Sequence, residues 1–442
     1  MKKLCAGLLA ALLVGLCGCD STGGLLGTGK EGFKIAEQYP TIAPMGNAPA
    51  EYSREALETL LQLKNAVQLG DGHLSLADRE NMTVIKRDAA GREIWRKSYD
   101  YPNKEFAGSV LFPAKDGFYL VCEEGEHQLR NGKWQHTEPR LFRCGLDGNV
   151  LWAYNCKAGY NGALKYVWPT PDGKTIAIGT IETPETKTEG VNSYEAICLS
   201  LLDAHGSLIR DAVFGGSDYD WLNDAYYLPG KGVVGLAYTQ SRDGDFAASP
   251  DGYGRQVLFL VDEELRLVWH IRVDEDDRTN VESCFRDDGI YILTSRNEGW
   301  DSETGEGDFK ASYRKYDYEG NLMFQESQLT PKNYKFGGSC ALGLVIQECG
   351  WRTSGEPSPS GWQTEKLLFR KEQEVVLELP FDAGDVQRVV DTDFGILIVS
   401  VKTVGRKETS PAVSFIPPVL QTVWSAYDTS GNLLWRTVSE QY

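Results

Sequence analysis

Two acidic clusters of this 442-residue chain could do chemistry, RDGD at 242–245 and DEDD at 274–277. Their carboxylates, Asp243 and Asp245 among them, are the hard oxygen donors that Ca²⁺ accepts. Neither stretch has the roughly 12-residue ligand spacing of a dedicated Ca²⁺ loop. Asx turns and solvated acidic turns are therefore the reading, and no metal is assigned. The histidines, His73, His127, His136, His205 and His270, form no HExxH or other zinc-ligand spacing. Beyond the first twenty residues lie Cys122, Cys144, Cys156, Cys198, Cys284, Cys340 and Cys349, an odd set without a CxxC. Most sit in apolar runs, where cysteine acts as a small core residue; a Cys122–Cys144 bridge is the alternative. No Ser-His-Asp arrangement and no persuasive Cys-His pair appears. The sequence thus assigns no catalytic residue and no cofactor, and what remains is recognition by loop residues.

Such loops need a scaffold, and the scaffold is written as a repeat. AYDTSGNLLW near the C-terminus sets Gly431 four residues before Trp435 and Asp428 seven before. The same spacing appears as Asp88, Gly91 and Trp95, and as Gly148 and Trp152 without the Asp. It recurs as Asp203 and Gly206, with Arg210 in the aromatic place, as Asp262 and Trp269 without the Gly, and as Asp317, Gly320 and Phe324. RKEQEVVL at 370–377 is a worn copy placed by spacing, and the intervals run from 53 to 59 residues. Asp starts a turn by hydrogen-bonding its own backbone, and Gly supplies the positive φ that ends it.

A second hairpin, Gly followed by an apolar run, precedes each phrase, at Gly72, Gly117, Gly173, Gly232, Gly289, Gly343 and Gly395. Each unit is therefore four strands, A to D. A lone four-stranded sheet that is apolar on both faces cannot bury itself. The expected fold is all-β: a seven-bladed β-propeller of four-stranded antiparallel blades over residues 51–442. The aromatics at 95, 152, 269, 324 and 435 are expected to fill the wedges between blades. SREALETLLQL, from Ser53, is read either as a short capped helix or as the lead-in to blade one.

The first 18 residues carry Lys2 and Lys3 and then an apolar run, and they read as a leader. The run ends in Leu16-Cys17-Gly18-Cys19, which resembles a bacterial lipobox. The resemblance implies cleavage after Gly18 and lipidation of Cys19. Residues 19–50, Gly-rich at their start, then read as a flexible tether from a membrane held by acyl chains. The expected location is extracytoplasmic, at a cell membrane. The net charge of −18 would repel nucleic acid.

The fourth unit is the least worn. Gly215, Gly216, Ser217 and Asp220, then Thr239, Ser241, Asp243, Gly244 and Asp245, resemble the Gly-Gly-Ser-x-x-Asp opening and Asp-Gly-Asp loop of degenerate bacterial propeller repeats. That resemblance implies architecture and location, not chemistry. The closing phrase also resembles repeats of quinoprotein-type propellers, which include a lipoprotein of outer-membrane assembly.

In a meander the A–B and C–D turns share one end of a blade, and the B–C loop lies at the other. The B–C loops are long in units two to seven. They carry Asp243, Asp245 and the aromatics Trp134, Phe246, Tyr253, Trp300, Trp351 and Trp362. Aromatic tips amid polar residues suit a glycan or protein ligand. The leading expectation is a binding protein, not an enzyme. A polysaccharide hydrolase or lyase, with carboxylates converging from several blades, is the first rival, and an envelope assembly scaffold is the second.

Overall fold

The computed structural model describes residues 66–440, apart from 70–71, 79–81, 89–91, 100–105, 125–128, 131–132, 135–137, 157–161, 183–194, 248–252, 275–278, 300–306, 353–360, 393–394 and 407–417. The leader, Cys19, the tether and the segment from Ser53 lie outside the described residues. Among the described residues every regular element is a strand.

Blade one is β1 (Ala66–Leu69), β2 (Gly72–Asp78), β3 (Thr83–Asp88) and β4 (Glu93–Ser98). Blade two is β5 (Phe106–Ala114), β6 (Gly117–Glu124), β9 (Glu138–Gly145) and β10 (Val150–Asn155). Its B–C connection holds a miniature hairpin, β7 (Leu129–Arg130) with β8 (Lys133–Trp134). Blade three is β11 (Gly162–Pro169), β12 (Thr175–Glu182), β13 (Glu195–Leu202) and β14 (Leu208–Phe214). Blade four is β15 (Asp220–Leu228), β16 (Gly232–Thr239), β17 (Arg255–Val261) and β18 (Leu267–Arg272). Blade five is β19 (Thr279–Arg286), β20 (Gly289–Glu298), β21 (Asp308–Tyr316) and β22 (Leu322–Thr330). Blade six is β23 (Asn333–Cys340), β24 (Gly343–Arg352), β25 (Gly361–Lys371) and β26 (Glu374–Pro380). Blade seven is β27 (Asp385–Thr392), β28 (Gly395–Arg406), β29 (Pro418–Tyr427) and β30 (Leu433–Glu440). Every blade is an antiparallel meander in chain order, and the fold class is the seven-bladed β-propeller expected from the repeat.

The chain falls into two units, one with blades one to four plus residues 318–320, the other with blades five to seven. Within the first, one apolar cluster joins each blade to the next: Leu74 and Val84 with Phe118 and Phe142, Val121 and Leu141 with Ala177 and Cys198, Ile178 and Leu199 with Val257 and Phe259. Within the second, Leu293 and Tyr313 meet Phe336 and Ile346, and Val345 and Phe369 meet Ile398 and Val423. The inner strands are buried on both faces, as in β17, whereas the outermost strand alternates, as in β18. Face-to-face burial of this kind is how a sheet without a helix layer removes apolar surface from water.

The repeated phrase forms the C–D turn. Asp203 Oδ1 accepts the N–H groups of His205 (2.9 Å) and Ser207 (2.8 Å), and Asp428 does the same for Ser430 (2.9 Å) and Asn432 (2.8 Å). Gly206 and Gly431 take φ of 80° and 84°. In blade two, which lacks the Asp, Asp147 accepts from Asn149 instead. The worn copy in blade six is a different turn. Lys371 pairs directly with Glu374, leaving two residues in the loop, and the first, Glu372, carries φ 52°. Positive φ ordinarily favours Gly, so here a Glu holds a left-handed position of the kind that most other copies give to Gly.

The aromatic of the phrase links blades by more than bulk. The indole N–H of Trp95 donates to Leu146 O (3.2 Å), and that of Trp152 donates to Ala204 O (3.1 Å). In both cases the acceptor lies in the C–D turn of the next blade. The Gly of that turn lies against the same ring. A Cβ on Gly148 would come 2.9 Å from Trp95, and one on Gly206 would come 2.5 Å from Trp152. Positive φ and close approach both select Gly there. Blade three breaks the rule at one position and blade four answers it. Exposed Arg210 replaces the aromatic, and Leu265 replaces the next turn's Gly. Leu265 takes φ 60° and is 2% exposed. It packs in the cluster that contains Leu201, the cross-strand partner of Arg210.

Candidate functional site

The B–C end of blade four carries a dense hydrogen-bond network among its described residues. The connection entering β15 and the loop leaving β16 are fastened together by side-chain-to-backbone hydrogen bonds. Gly215 N–H donates to Asp245 Oδ2 (3.1 Å), and Ser217 N–H donates to Asp243 Oδ1 (2.8 Å). Asp245 N–H returns a bond to Gly215 O (3.0 Å). Beneath them Asp220 is wholly buried. Its Oδ2 accepts Gly216 N–H (2.7 Å) and the Ser241 hydroxyl (2.7 Å), and Ser241 Oγ accepts Asp218 N–H (3.0 Å). Burial pushes the Asp220 carboxyl above the usual carboxylate range, against these hydrogen bonds. Gly216 is required by contact, since a Cβ would lie 2.4 Å from Asp243 O. The motif residues singled out in the sequence therefore fasten residues 215–218 to residues 241–245. Asp243 and Asp245 are exposed and each is committed through one oxygen to a backbone N–H. Among the described residues no group of three His, Cys, Asp or Glu side chains is placed to hold a metal ion.

The aromatic residues expected at loop tips separate into three outcomes. Phe246 is a correction. It is 1% exposed, with its ring 5.4 Å from Phe259 and 6.1 Å from His270, because the loop folds back after Asp245 and drives the ring into the blade core. Trp362 is also displaced from the tip. Strands β24 and β25 run on past the expected loop start, so that Trp362 is paired in register with Trp351. Its half-buried ring meets Phe309 edge-on at 5.2 Å. Tyr253 is exposed, at 59%. Trp300 lies outside the described residues, and so do the side chains of Trp134 and Trp351.

A second group at this end of blade four was not singled out from the sequence. Trp221 on β15 and Tyr238 on β16 are cross-strand partners, and their rings stack at 4.5 Å with an interplanar angle of 20°. Tyr219 meets Trp221 edge-on at 6.4 Å. Gln256 on β17 is paired in turn with Tyr238, so the three positions form one row across the blade. Trp221 Nε1–H donates to Asn223 Oδ1 (3.1 Å), and Asn223 Nδ2 donates to Gln256 Oε1 (2.8 Å). On the other side Gln240 Nε2 donates to the Tyr238 hydroxyl (3.0 Å). Gly254 makes room for that hydroxyl, which a Cβ would approach to 1.7 Å. All six side chains are half-buried. The signal available in the sequence was the alternation of Tyr219, Trp221 and Asn223 on one strand face. The partners on β16 and β17 are found only through register.

No family model matches the chain, and no curated protein matches it in sequence. Similar solved structures include a eukaryotic initiation factor at 10% identity, covering 91% of this chain and 91% of that one, with a TM-score of 0.40. A mutant apocarotenoid oxygenase of Synechocystis is similar at 9% identity over 81% and 87%, with a TM-score of 0.38. An endo-arabinanase of Bacillus licheniformis is similar at 9% identity over 59% and 95%, with a TM-score of 0.28. No functional residue is carried over from any of them.

Proposed function

We propose that the protein is an extracytoplasmic lipoprotein, anchored through Cys19, whose propeller binds a glycan or a protein at the B–C end of its blades. It is a binding module rather than an enzyme. The observation that carries this reading is the fastening of two loops at the B–C end of blade four, where Asp220, Ser241, Asp243 and Asp245 take up the N–H groups of residues 215–218. Segments held this way are set before any ligand arrives, which lowers the entropic cost of binding.

Two experiments test the reading. The full chain in detergent is applied to a glycan array and used for pull-down from cell-envelope extract. Specific retention of a glycan or an envelope protein is expected, and retention of neither overturns the binding role. A clickable palmitate analogue should label the wild type and not Cys19→Ala. Label that persists in the variant overturns the anchor.

A further inference from the structure

We infer that Cys156 of blade two and Cys198 of blade three form a disulfide that staples the seam between these blades. This modification is independent of the binding role and lies wholly within the first unit.

The two sulfurs are already in contact. Cys156 follows β10, the outermost strand of blade two, and Cys198 lies in β13, the third strand of blade three. Their Sγ atoms are 3.9 Å apart, and both residues are wholly buried. The surrounding seam holds them in that alignment. Tyr154 and Cys156 stand two residues apart on one side of it, and Cys198 and Ser200 stand two residues apart on the other. Side chains at i and i+2 share a strand face, so the seam has two matched rungs. The Tyr154 hydroxyl lies 3.1 Å from Ser200 Oγ, and Cys156 Sγ lies 3.8 Å from the same oxygen. The Cys156 N–H donates to Pro139 O (3.0 Å), which ties its backbone to its own blade. A disulfide sets its sulfurs about 2 Å apart, so closure needs a shift of about 2 Å, within what rotation about χ1 supplies.

Register sets other pairings aside. Cys122 and Cys144 share blade two, but Cys122 pairs with Arg140 and Cys144 with Phe118. That four-residue offset sets them about 13 Å apart along the strands, beyond disulfide reach. Cys340 and Cys349 lie at opposite ends of the β23–β24 ladder, across from Gly343 and Asn333.

Formation is two thiol–disulfide exchanges. One thiolate of the pair attacks a sulfur of an oxidant that is itself a protein or small-molecule disulfide, forming a mixed disulfide and releasing a first thiolate. The other thiolate of the pair attacks the Sγ held in the mixed disulfide and releases the second. The pair loses two protons and two electrons in all, and the oxidant leaves as two thiols. Both cysteines are buried once the seam has closed, so the exchange belongs to the folding chain. The proposed location outside the cytoplasm is where such oxidants act. The bond closes a loop of roughly forty residues and stabilises by restricting the unfolded chain.

The test is oxidative refolding of the full chain in detergent. Reduced protein is diluted from guanidinium into a mixture of reduced and oxidised glutathione, remaining thiols are alkylated in guanidinium, and the peptides are mapped without reduction. A peptide linked through Cys156 and Cys198 is expected as the main cross-link, and it should be absent from Cys198→Ala. Reduction should lower the wild-type Tm by at least about 3 °C and leave that of Cys198→Ala unchanged. If Cys198→Ala does not fold, the wild-type peptide map still decides the pairing. Refolded wild type that yields both cysteines as alkylated thiols overturns the bond, and so does a main cross-link between other cysteines. The same linked peptide in equal yield from chain oxidised in guanidinium shows that the fold does not select it, and overturns the assignment. A linked peptide whose reduction leaves Tm unchanged overturns the staple.

Discussion

Trp152 of blade two and Gly206 of blade three occupy one contact: the indole donates to the carbonyl two residues before the glycine, and the glycine's missing Cβ leaves 2.5 Å to the ring. Gly206→Ala should therefore cost about 1–3 kcal/mol, through both the positive φ and the clash. Trp152→Phe should keep the packing and lose the hydrogen bond, at about 0.5–1.5 kcal/mol. Urea unfolding of the two variants checks the order; an alanine as stable as wild type would refute the contact.

Arg210 and Leu265 should behave as a compensated pair. Leu265→Gly alone relieves its φ of 60° but opens a cavity in the cluster with Leu201, for a net loss of about 1–3 kcal/mol. Arg210→Trp alone should clash with Leu265. The double variant rebuilds the Trp–Gly contact seen at Trp95–Gly148 and Trp152–Gly206, so its loss should be smaller than the sum of the two by at least about 1 kcal/mol. A double-mutant cycle with additive losses would count against the pairing.

Acid should loosen the turns. The Asp203 carboxyl is held below its usual range chiefly by the Ser207 N–H, and Asp428 by the Asn432 side chain and backbone. Asp172 is lowered to about 2 by Lys174 and Thr170. A carboxyl depressed in the folded state contributes stability above its unfolded pKa of about 4, and that contribution is lost as pH falls through the folded value. The melting temperature should fall between about pH 4 and 2. Asp203→Asn keeps the acceptor oxygen and should show a shallower fall over that window. An identical slope in Tm against pH would exclude Asp203 as a contributor.

The thiols of Cys144, Cys340 and Cys349 are pushed up to about 12, in each case mainly by burial. Thiolate is the reactive form, so the native protein should leave these three unalkylated at neutral pH and expose them only in denaturant. Mass mapping after alkylation with and without guanidinium reads this directly; rapid native labelling of Cys349 would contradict its place in β24.

The blades were legible because each strand pair carries its own short-range code: an Asp or Gly at the turn, and apolar residues either continuous or alternating on either side. The same logic misplaced Phe246. A large ring next to an acidic loop reads as a tip, and only the fold-back that follows Asp245 turns it inward. Trp362 was misread because two strands continue pairing through residues that look like loop. The Trp221–Tyr238 stack was not legible for a different reason. Its members are 17 positions apart and meet only through the register of β15 on β16. Blade six hid its turn because its two-residue hairpin puts Glu372, not a Gly, at the positive-φ position.

The exchange at Arg210 and Leu265 also bears on how such a chain can diverge. A tandem array copied whole inherits matched seams, whereas replacing blade three by a copy of blade two would set a tryptophan against Leu265. The portable module is then the seam between neighbours rather than the sheet itself, and grafts cut through the middle of a blade should be tolerated better than grafts cut between blades.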